Sequence, residues 1–359
     1  MRIVQIIDSL EAGGAERMAV NYANALADEI EFSGLVATRK EGNLRNQINN
    51  NVPYLFLNKK RTVDFVALFK LRNFVKQHRV TNIHAHSTSF FIAFLLKLSC
   101  FNLHIIWHDH YGDSEYLQRR PLFFLSLIAP FFSGIIVVNQ KLKRWSESKL
   151  KFKNILYLPN FPSEEKSNSK TTILKGINGK RILSLANLRV QKDHFLVLKV
   201  AKKVKESHPD WTFHLVGKDF EDSYSQKIKD LIQTFDLEKN VFLYGSKQDI
   251  GNIIKQSDIG ILTSQSEGLP VSLLEYGCYK KPVVVTNVGD IPILVKNEKN
   301  GFLVEPRNAQ VFYDSLVRLI GSDVLKEEFG LALYDAVVRN NSKRAVIELY
   351  LNWLQNSFK

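Results

Sequence analysis

The sequence predicts an α/β protein made of two doubly wound, Rossmann-like domains with parallel sheets. The chain has 359 residues, which is too long for one ordinary hydrophobic core. Both halves alternate short apolar strands with helical patterns, as is typical of parallel sheets covered on both faces. The segment Leu158-Pro159-Asn160-Phe161-Pro162 interrupts that alternation. We predict a first domain over 1–162, a second over 163–340, and a C-terminal helix over 341–359 that packs back on the first domain.

The first half begins with strand 2–7, the Gly13-Gly14 turn and a helix from Ala15 to about Ala27. A second helical pattern covers Val63–His78. Short apolar runs predict the remaining strands, at Phe32–Thr38, Tyr54–Leu57, Ile83–Ala85, His104–Trp107 and Ile135–Val138. This half therefore contains several strand–helix–strand units in succession.

The second half repeats the pattern after a polar stretch from Ser163 to Thr172, the predicted linker. Helices are predicted at His194–Ser207, from Pro270 onward, and in the amphipathic tail Lys343 to Phe358. The predicted strands are Arg181–Ala186, Thr212–Val216, Val241–Tyr244, 258–263 and Val283–Thr286. Ligands bind at the carboxyl ends of the strands in open α/β folds, so we expect the two domains to face each other across a central cleft.

Composition indicates a soluble globular protein of the cytoplasm. Hydrophobic residues make up 45% and charged residues 24%. The two cysteines, Cys100 and Cys278, cannot form a disulfide framework, and the N-terminal segment lacks the features of a signal peptide. The apolar stretches 90–98 and 121–138 are predicted as buried elements, because the first is too short to span a membrane and proline and glycine divide the second.

The net charge of +13 is concentrated in the first half, where residues 1–160 contain 21 Lys/Arg and 12 Asp/Glu. No interleaved aromatic and basic motif of a known nucleic-acid-binding module is present, so we expect no nucleic-acid partner. The Arg119-Arg120-Pro121-Leu122-Phe123-Phe124 junction predicts peripheral contact with anionic lipid head groups on the cytoplasmic face of the inner membrane. A solvated basic face is the alternative.

The segment from Ser266 to Glu275, Ser-Glu-Gly-Leu-Pro-Val-Ser-Leu-Leu-Glu, is the most informative one for function. It follows an apolar strand, and Pro270 suits the first turn of a helix because no N–H is needed there. The unpaired amides of such a turn can bind an anion. Glu267 precedes the turn and Glu275 lies about five residues inside the helix, so at ~1.5 Å per residue they are separated by roughly 8 Å along the helix. This span suits hydroxyl groups at opposite ends of a sugar–diphosphate–ribose.

Several further motifs occur in order along the chain. They are Gly13-Gly14-Ala15-Glu16-Arg17, Ile106-Trp107-His108-Asp109, the stretch from Leu185 to Asp193, Leu215-Val216-Gly217, Phe242-Leu243-Tyr244-Gly245, Glu267 to Glu275, and Lys281-Pro282-Val283-Val284. Together they resemble the family-4 retaining glycosyltransferases of GT-B fold (glycosyl transferases group 1), over essentially the whole chain. The spacing Glu-x7-Glu in a Glu-Gly-Leu-Pro context is fairly specific, and the ordered set is much more so.

The resemblance implies transfer of a sugar from a nucleotide-diphosphate donor to a saccharide or lipid-linked saccharide acceptor, with retention at the anomeric carbon. The second domain would bind the donor and the first the acceptor, without metal or other cofactor. Catalytic roles are expected for His108, Lys192 and Glu267. The expected donor-binding residues are Gly13, Gly14, Asn187, Arg189, Lys192, Glu267, Gly268, Leu269, Pro270, Val271 and Glu275. Asp109 and Asp113 are expected on the acceptor side.

Two departures from the family pattern bear on this expectation. Asn187 stands where the family commonly has arginine, and we expect Arg189 to replace it at the diphosphate. Asp290 and Ile293 stand where glycine and glutamate are usual, which affects donor identity more than activity. A nucleotide-sugar 2-epimerase of the same architecture and a non-catalytic scaffold subunit are the alternatives. The histidine-rich segment 78–110 is not expected to bind metal, because its histidines do not form a ligand pattern supported by carboxylates.

Overall fold

The computed structural model describes residues 1–11, 13–112, 114–162 and 171–357. The chain forms two compact units, one of Met1–Ser163 with Lys343–Lys359 and the other of Glu164–Ser342. Each unit contains one parallel sheet, with seven strands in the first and six in the second. The predicted fold class of two Rossmann-like parallel-sheet domains is therefore confirmed. Most of the predicted linker lies outside the described residues.

The first unit contains a sheet in the order β3-β2-β1-β4-β5-β6-β7. Its strands are β1 (Arg2–Ser9), β2 (Phe32–Lys40), β3 (Tyr54–Phe56), β4 (Asn82–His86), β5 (His104–Asp109), β6 (Gly134–Val137) and β7 (Ile155–Tyr157). Its helices are α1 (Gly14–Leu26), α2 (Phe65–Gln77), α3 (Phe90–Lys97), α4 (Phe123–Ile128) and α5 (Gln140–Lys149), followed at the end of the chain by α13 (Lys343–Ser357).

Alternating side chains cover both faces of this sheet, because successive residues of a strand point in opposite directions. On β1, Val4 and Ile6 pack in the core under α2, α3, α4 and α5. Ile7 faces the other way, into the core formed with α1. Two helices begin at side-chain caps: Asp64 accepts from the Ala67 amide at α2, and Asn139 from the Leu142 amide at α5.

The second unit contains a sheet in the order β10-β9-β8-β11-β12-β13. Its strands are β8 (Arg181–Leu185), β9 (Thr212–Val216), β10 (Val241–Leu243), β11 (Ile259–Leu262), β12 (Val283–Thr286) and β13 (Phe302–Val304). Its helices are α6 (His194–Ser207), α7 (Ser223–Thr234), α8 (Ile250–Gln256), α9 (Val271–Cys278), α10 (Ile291–Leu294), α11 (Ala309–Ile320) and α12 (Asp323–Asn341). Separate cores lie on its two faces.

The predicted linker, from Ser163 to Thr172, is two residues too long at its C-terminal end. The amides of Thr171 and Thr172 both donate to Asp249 Oδ2, at 3.1 and 2.8 Å. Thr172 Oγ1 also donates to Asp249 Oδ1, and the Thr172 side chain is buried. These bonds hold the pKa of Asp249 at about 2, against the opposing effect of burial. Thr171 and Thr172 are therefore part of the second unit.

Helix α13 packs within the first unit although it ends the chain. Tyr350 is fully buried, and its hydroxyl lies 3.0 Å from His84 Nδ1. Trp353 Nε1 donates to Asn154 Oδ1 at 3.0 Å. A Cβ atom on Gly134 would lie 2.3 Å from the Trp353 ring, so β6 needs glycine where α13 crosses it. Among the described helices, none combines the length and apolar character needed to cross a bilayer.

Candidate active site

Two loops of the second unit meet where the paired strands β8 and β11 end. Thr263 Oγ1 donates to the Lys192 carbonyl at 2.8 Å, and the Gln265 amide donates to the Gln191 carbonyl at 2.8 Å. Gln265 Nε2 also donates to Asp193 Oδ2 at 2.9 Å. These three bonds fix the backbone around Lys192 against the loop that leads to Glu267.

Lys192 and Glu267 form an ion pair through Nζ and Oε1. The Glu267 side chain is 9% exposed and that of Lys192 is 23% exposed, so the pair opens to solvent mainly on the lysine side. Ser264 Oγ donates to the same Glu267 oxygen at 2.6 Å. The predicted phosphate-binding cation and the predicted sugar-binding carboxylate are thus direct neighbours.

Helix α9 begins directly after this pair. Pro270 is its N-cap, so the helix starts at Val271, one residue later than the sequence indicated. The Leu273 and Leu274 amides donate to the Pro270 carbonyl at 3.1 and 3.5 Å. The amides of Val271 and Ser272 precede this first turn, which makes this end suitable for an anion. Glu275 is the fifth residue of the helix and is 7% exposed, so its carboxylate lies in a nearly closed environment.

The loop after β12 supports the Glu267–Gly268 backbone. The Asp290 amide donates to the Gly268 carbonyl at 3.1 Å. Gly289 has φ +57°, and a Cβ atom there would lie 2.2 Å from the Glu267 carbonyl oxygen. Glycine is therefore required at this close approach, both for its conformation and for its lack of a side chain.

Asn187 and Arg189 occupy different environments at the end of β8. Asn187 Oδ1 accepts from the Lys218 amide at 2.8 Å, so this side chain joins the ends of β8 and β9. Arg189 is exposed, with its guanidinium 4.7 Å from the Phe220 ring centroid. Of Asn187 and Arg189, only Arg189 has a cationic side chain, and Lys218 Nζ lies 5.2 Å from the same Phe220 ring centroid. The replacement of the family's arginine by Arg189 therefore stays a prediction.

The predicted first-domain residues lie in the other unit. Gly13 is the N-cap of α1 in extended conformation, and a Cβ atom there would lie 2.1 Å from Glu16 Oε2. Gly14 is the first residue of the helix and has open space where a Cβ atom would be. The glycine turn therefore leads into α1 one residue earlier than predicted.

His108 belongs to a cluster of imidazoles in and directly after β4 and β5, which we call the histidine cluster: the buried His84, His86 and His108 and the half-buried His110. His86 and His108 are register partners. His84 Nε2 lies 3.0 Å from His108 Nδ1, and His86 Nδ1 lies 2.9 Å from His110 Nε2. Tyr350 and Gln5 bond the outer nitrogens of His84 and His86, respectively. The His108 side chain is fully buried, so its imidazole does not reach the protein surface.

Burial keeps the histidine cluster neutral. Desolvation lowers the pKa of His84, His86 and His108 well below the usual value, and it lowers that of His110 to about 3. Ring nitrogens of His84, His86 and His108 lie within 4.8 Å of one another, a spacing that can hold a metal ion. The sequence did not indicate this convergence. Hydrogen bonds engage both ring nitrogens of His84 and His86, whereas His108 Nε2 is buried without a hydrogen-bond partner among the described residues.

Asp109 is engaged by Arg120. The two side chains form a bidentate pair at 2.6 and 2.9 Å, with Asp109 2% and Arg120 9% exposed. The guanidinium also lies against the rings of Trp107, Tyr111 and Trp145, at 5.3, 4.4 and 4.4 Å. Arg120 was predicted to meet lipid head groups, and this was wrong, because the side chain is enclosed. Asp113 lies outside the described residues.

Sequence reasoning missed the residues that connect the loops. Ser264, Gln265 and Asp193 hold Lys192 and Glu267 in place, and Asp193 adopts a left-handed conformation at φ +50° while capping α6. Their polar character beside two strand ends was the available signal. The Glu267–Gly268–Pro270 segment and Lys192, which the sequence singled out, are brought together as neighbours.

Comparisons with known proteins agree with this architecture. The Glycosyltransferase Family 4 model matches residues 12–166, and the Glycosyl transferases group 1 model matches residues 165–336. The chain is 28% identical over 327 residues to an uncharacterized glycosyltransferase of Haemophilus influenzae, covering 88% of each chain.

Two further proteins are similar over most of their length. The first is the UDP-Gal:alpha-D-GlcNAc-diphosphoundecaprenol alpha-1,3-galactosyltransferase of Escherichia coli, 26% identical over 338 residues, covering 87% of this chain and 86% of that one. The second is Anabaena HepE, solved with UDP and glucose, whose fold superposes with a TM-score of 0.81 at 16% identity, covering 99% of this chain and 100% of that one. The chain therefore belongs to the group 1 glycosyltransferases of GT-B fold.

Proposed function

We propose that this glycosyltransferase moves a hexose from a nucleotide-diphosphate sugar to a saccharide or lipid-linked saccharide acceptor, with retention at the anomeric carbon. Its pathway would be cell-surface polysaccharide or glycolipid synthesis in the cytoplasm. The Escherichia coli relative, named for a UDP-galactose donor and a diphosphoundecaprenol-linked acceptor, supports this class of substrates. The observation that carries the proposal is the meeting of Lys192, Glu267 and the start of α9 at one edge of the second sheet.

These residues suit the departure of a nucleoside diphosphate. Negative charge grows on the diphosphate as its bond to the anomeric carbon breaks, and the sugar passes through an oxocarbenium-like state. Lys192 Nζ and the amides at the start of α9 would stabilise that charge. Arg189 would add a second cation. No metal ion is needed in this scheme, because the protein supplies the positive charge.

The carboxylates would recognise hydroxyl groups. Glu275, inside α9, would accept from the ribose hydroxyls of the donor. Glu267 would accept from the sugar and release Lys192 to the diphosphate when the donor enters. The ion pair thus keeps both charges compensated before binding, since an unpaired charge in this nearly closed environment would be costly.

Calorimetry with UDP, GDP, ADP and dTDP and their common sugars, with and without EDTA, tests the donor site. We expect one nucleotide series to bind at micromolar Kd and Glu275→Ala to lose it. No binding of any series would contradict the proposal, and loss of binding in EDTA would contradict its metal independence.

Product analysis tests the chemistry. We expect the anomeric proton coupling of the product to match that of the donor sugar, as retention requires. Inversion would overturn the retaining mechanism. Conversion of the free nucleotide sugar to its epimer without acceptor would identify an epimerase instead.

A further inference from the structure

The helices that cover one face of the first unit's sheet expose several large aromatic side chains. Among the described residues, six phenylalanines are exposed, and all six lie in or beside α2, α3 and α4. Their exposed fractions are high: Phe65 78%, Phe69 61%, Phe101 77%, Phe123 69%, Phe124 72% and Phe131 39%. Val63, Val66, Leu98 and Leu127 are exposed beside them. We call these ten residues the aromatic face.

The aromatic face is carried by helices that share one side of the sheet. Helices α2, α3 and α4 cover the same core, in which Ala67, Leu71 and Val75 are the buried side of α2. The Phe94 and Phe131 rings lie 4.9 Å apart, which joins α3 to the segment after α4. Exposed apolar surface of this extent on a folded unit marks an interaction site rather than chance exposure.

Positive charge surrounds the aromatic face. Residues 59–153 contain 16 Lys/Arg and five Asp/Glu, so this segment holds +11 of the chain's net +13. Lys60 and Arg61 are exposed just before α2, Lys70 and Lys76 are exposed on it, and Arg144 is exposed on α5. Lysine is depleted in protein–protein interfaces, whereas surfaces that bind at a bilayer combine Lys/Arg with Phe and Leu.

We infer that the aromatic face docks on a bilayer that contains anionic lipids. Phenylalanine side chains of α2 and α4 would enter the head-group and acyl boundary, and Lys60, Arg61 and Lys70 would contact lipid phosphates. This contact differs from the one that the sequence indicated, because Arg120 is enclosed and α2 becomes the principal element. The inference rests on the proposed function only for the purpose of this docking, which would be to reach a lipid-linked acceptor.

Vesicle co-sedimentation of the full chain tests the inference. We expect binding to phosphatidylcholine vesicles with about a third phosphatidylglycerol, and at least about tenfold weaker binding to phosphatidylcholine alone or at high salt. Two double variants remove the electrostatic and the apolar contribution separately. Lys60→Gln/Arg61→Gln should weaken vesicle binding about 30-fold, since each charge near the surface contributes about fivefold. Phe65→Ser/Phe69→Ser should weaken vesicle binding at least about tenfold.

Matched controls lie in the other unit. Ile173→Ser/Ile177→Ser alters side chains that are 80% and 54% exposed, and Lys239→Gln/Lys299→Gln removes two exposed charges. Both should leave vesicle binding unchanged. Thermal unfolding of every variant shows whether it is folded.

Three outcomes would overturn the inference: equal binding to neutral and anionic vesicles, binding unaffected by both test variants, or no vesicle binding by the wild-type chain. A concentration-dependent dimer that Phe65→Ser/Phe69→Ser abolishes would assign the face to a second copy instead. Nucleotide calorimetry on the same variants separates the two proposals. Vesicle binding without nucleotide binding would refute the proposed function alone, and the reverse result would refute only the docking surface.

Discussion

Both the backbone carbonyl and the charged amine of Lys192 are held by neighbouring residues. Its carbonyl accepts from Thr263, its amine pairs with Glu267, and Glu267 also accepts from Ser264. A side chain placed by two neighbouring strand ends needs little reorganisation when a diphosphate arrives. We therefore expect the pair to act as a prepared anion site rather than as a surface ion pair of small energetic value.

Replacing Lys192 tests this role directly. We expect Lys192→Ala to lower kcat/KM about 100-fold or more, because the cation stabilises charge that develops only as the diphosphate leaves. Steady-state kinetics with the donor identified by calorimetry provides the measurement. Lys199→Ala, on the exposed side of α6, should leave the rate unchanged. A Lys192→Ala enzyme with normal kcat would refute the assignment.

The Asp109–Arg120 pair stabilises the first unit. Removing the charge of one member leaves the other buried and uncompensated, so we expect Asp109→Asn and Arg120→Gln each to lower the free energy of unfolding by about 3 kcal/mol. The double variant should lose less than the sum, because both changes break one contact. Urea unfolding gives these values.

The exposed pair Arg318–Glu298, with both side chains more than half exposed, is the control. Glu298→Gln there should cost less than about 1 kcal/mol. Additive losses at Asp109 and Arg120 would show that the two side chains act independently.

At the scale of elements, close backbone contacts decide where the site loops lie. Gly289 brings the loop after β12 against the Glu267 carbonyl, and Gly217 brings the end of β9 against Ala186, where a Cβ atom would lie 2.1 Å from the carbonyl oxygen. The loops around the site are thus held by neighbouring loops as well as by their own strands.

Gly289→Ala should displace the Glu267 loop. Its Cβ atom would meet the Glu267 carbonyl, and its φ of +57° is unfavourable for alanine, so we expect weaker nucleotide binding and a loss of at least about 2 kcal/mol in stability. Gly179→Ala is the control. Gly179 has φ +85° but no atom within 4 Å of its Cβ position, so only the conformational cost of about 1 kcal/mol applies. Equal effects of the two substitutions would contradict the proposed contact.

At the scale of the whole molecule, buried histidines make stability depend on pH. The pKa of each member of the histidine cluster is lowered by burial, and in the second unit that of His194 is lowered to about 4 and that of His214 to about 3. In the unfolded chain these groups titrate near their ordinary value of about 6.5. Unfolding therefore takes up protons once the pH falls below that value.

We expect the stability to be fully present above about pH 6.5 and to decrease as the pH falls toward 4. Each histidine contributes up to about 1.4 kcal/mol per pH unit, so the four-membered cluster contributes up to about 5 kcal/mol per pH unit. Urea midpoints at several pH values, followed by tryptophan fluorescence, measure this slope. His84→Gln/His108→Gln should remove about half of the histidine cluster's contribution to this slope. A constant midpoint down to about pH 5 would mean that the histidines protonate in the folded state.

Periodicity predicted most strands and the helices that cover them. Apolar runs such as Ile135–Val138 and Val283–Thr286 coincide with β6 and β12, because buried parallel strands are continuous apolar segments. The three-residue strands β7 and β13 were missed, although β3 and β10, which are equally short, were predicted. Helices α7 and α11 were not predicted either, although both are amphipathic.

The candidate site was predictable only in part. Lys192, Glu267 and Glu275 follow from motifs, because their neighbours in sequence, such as Pro270 and the preceding apolar strand, set their local structure. The Gln265–Asp193 contact joins positions 72 residues apart, and periodicity contains no information about such pairs. The same limit applies to Arg120, whose partner Asp109 lies across a turn with no regular pattern.

The sequence alone determined the fold class, the two parallel sheets and the residues at the start of α9, because each depends on local periodicity and turn chemistry. Only the tertiary structure decided which side chains are enclosed. It buried Arg120 in an aromatic cage, joined four histidines of β4 and β5 under α13, and left six phenylalanines of one helical layer exposed. Burial is a property of packing between distant segments, and it decides which charges are paired and which surfaces can bind a partner.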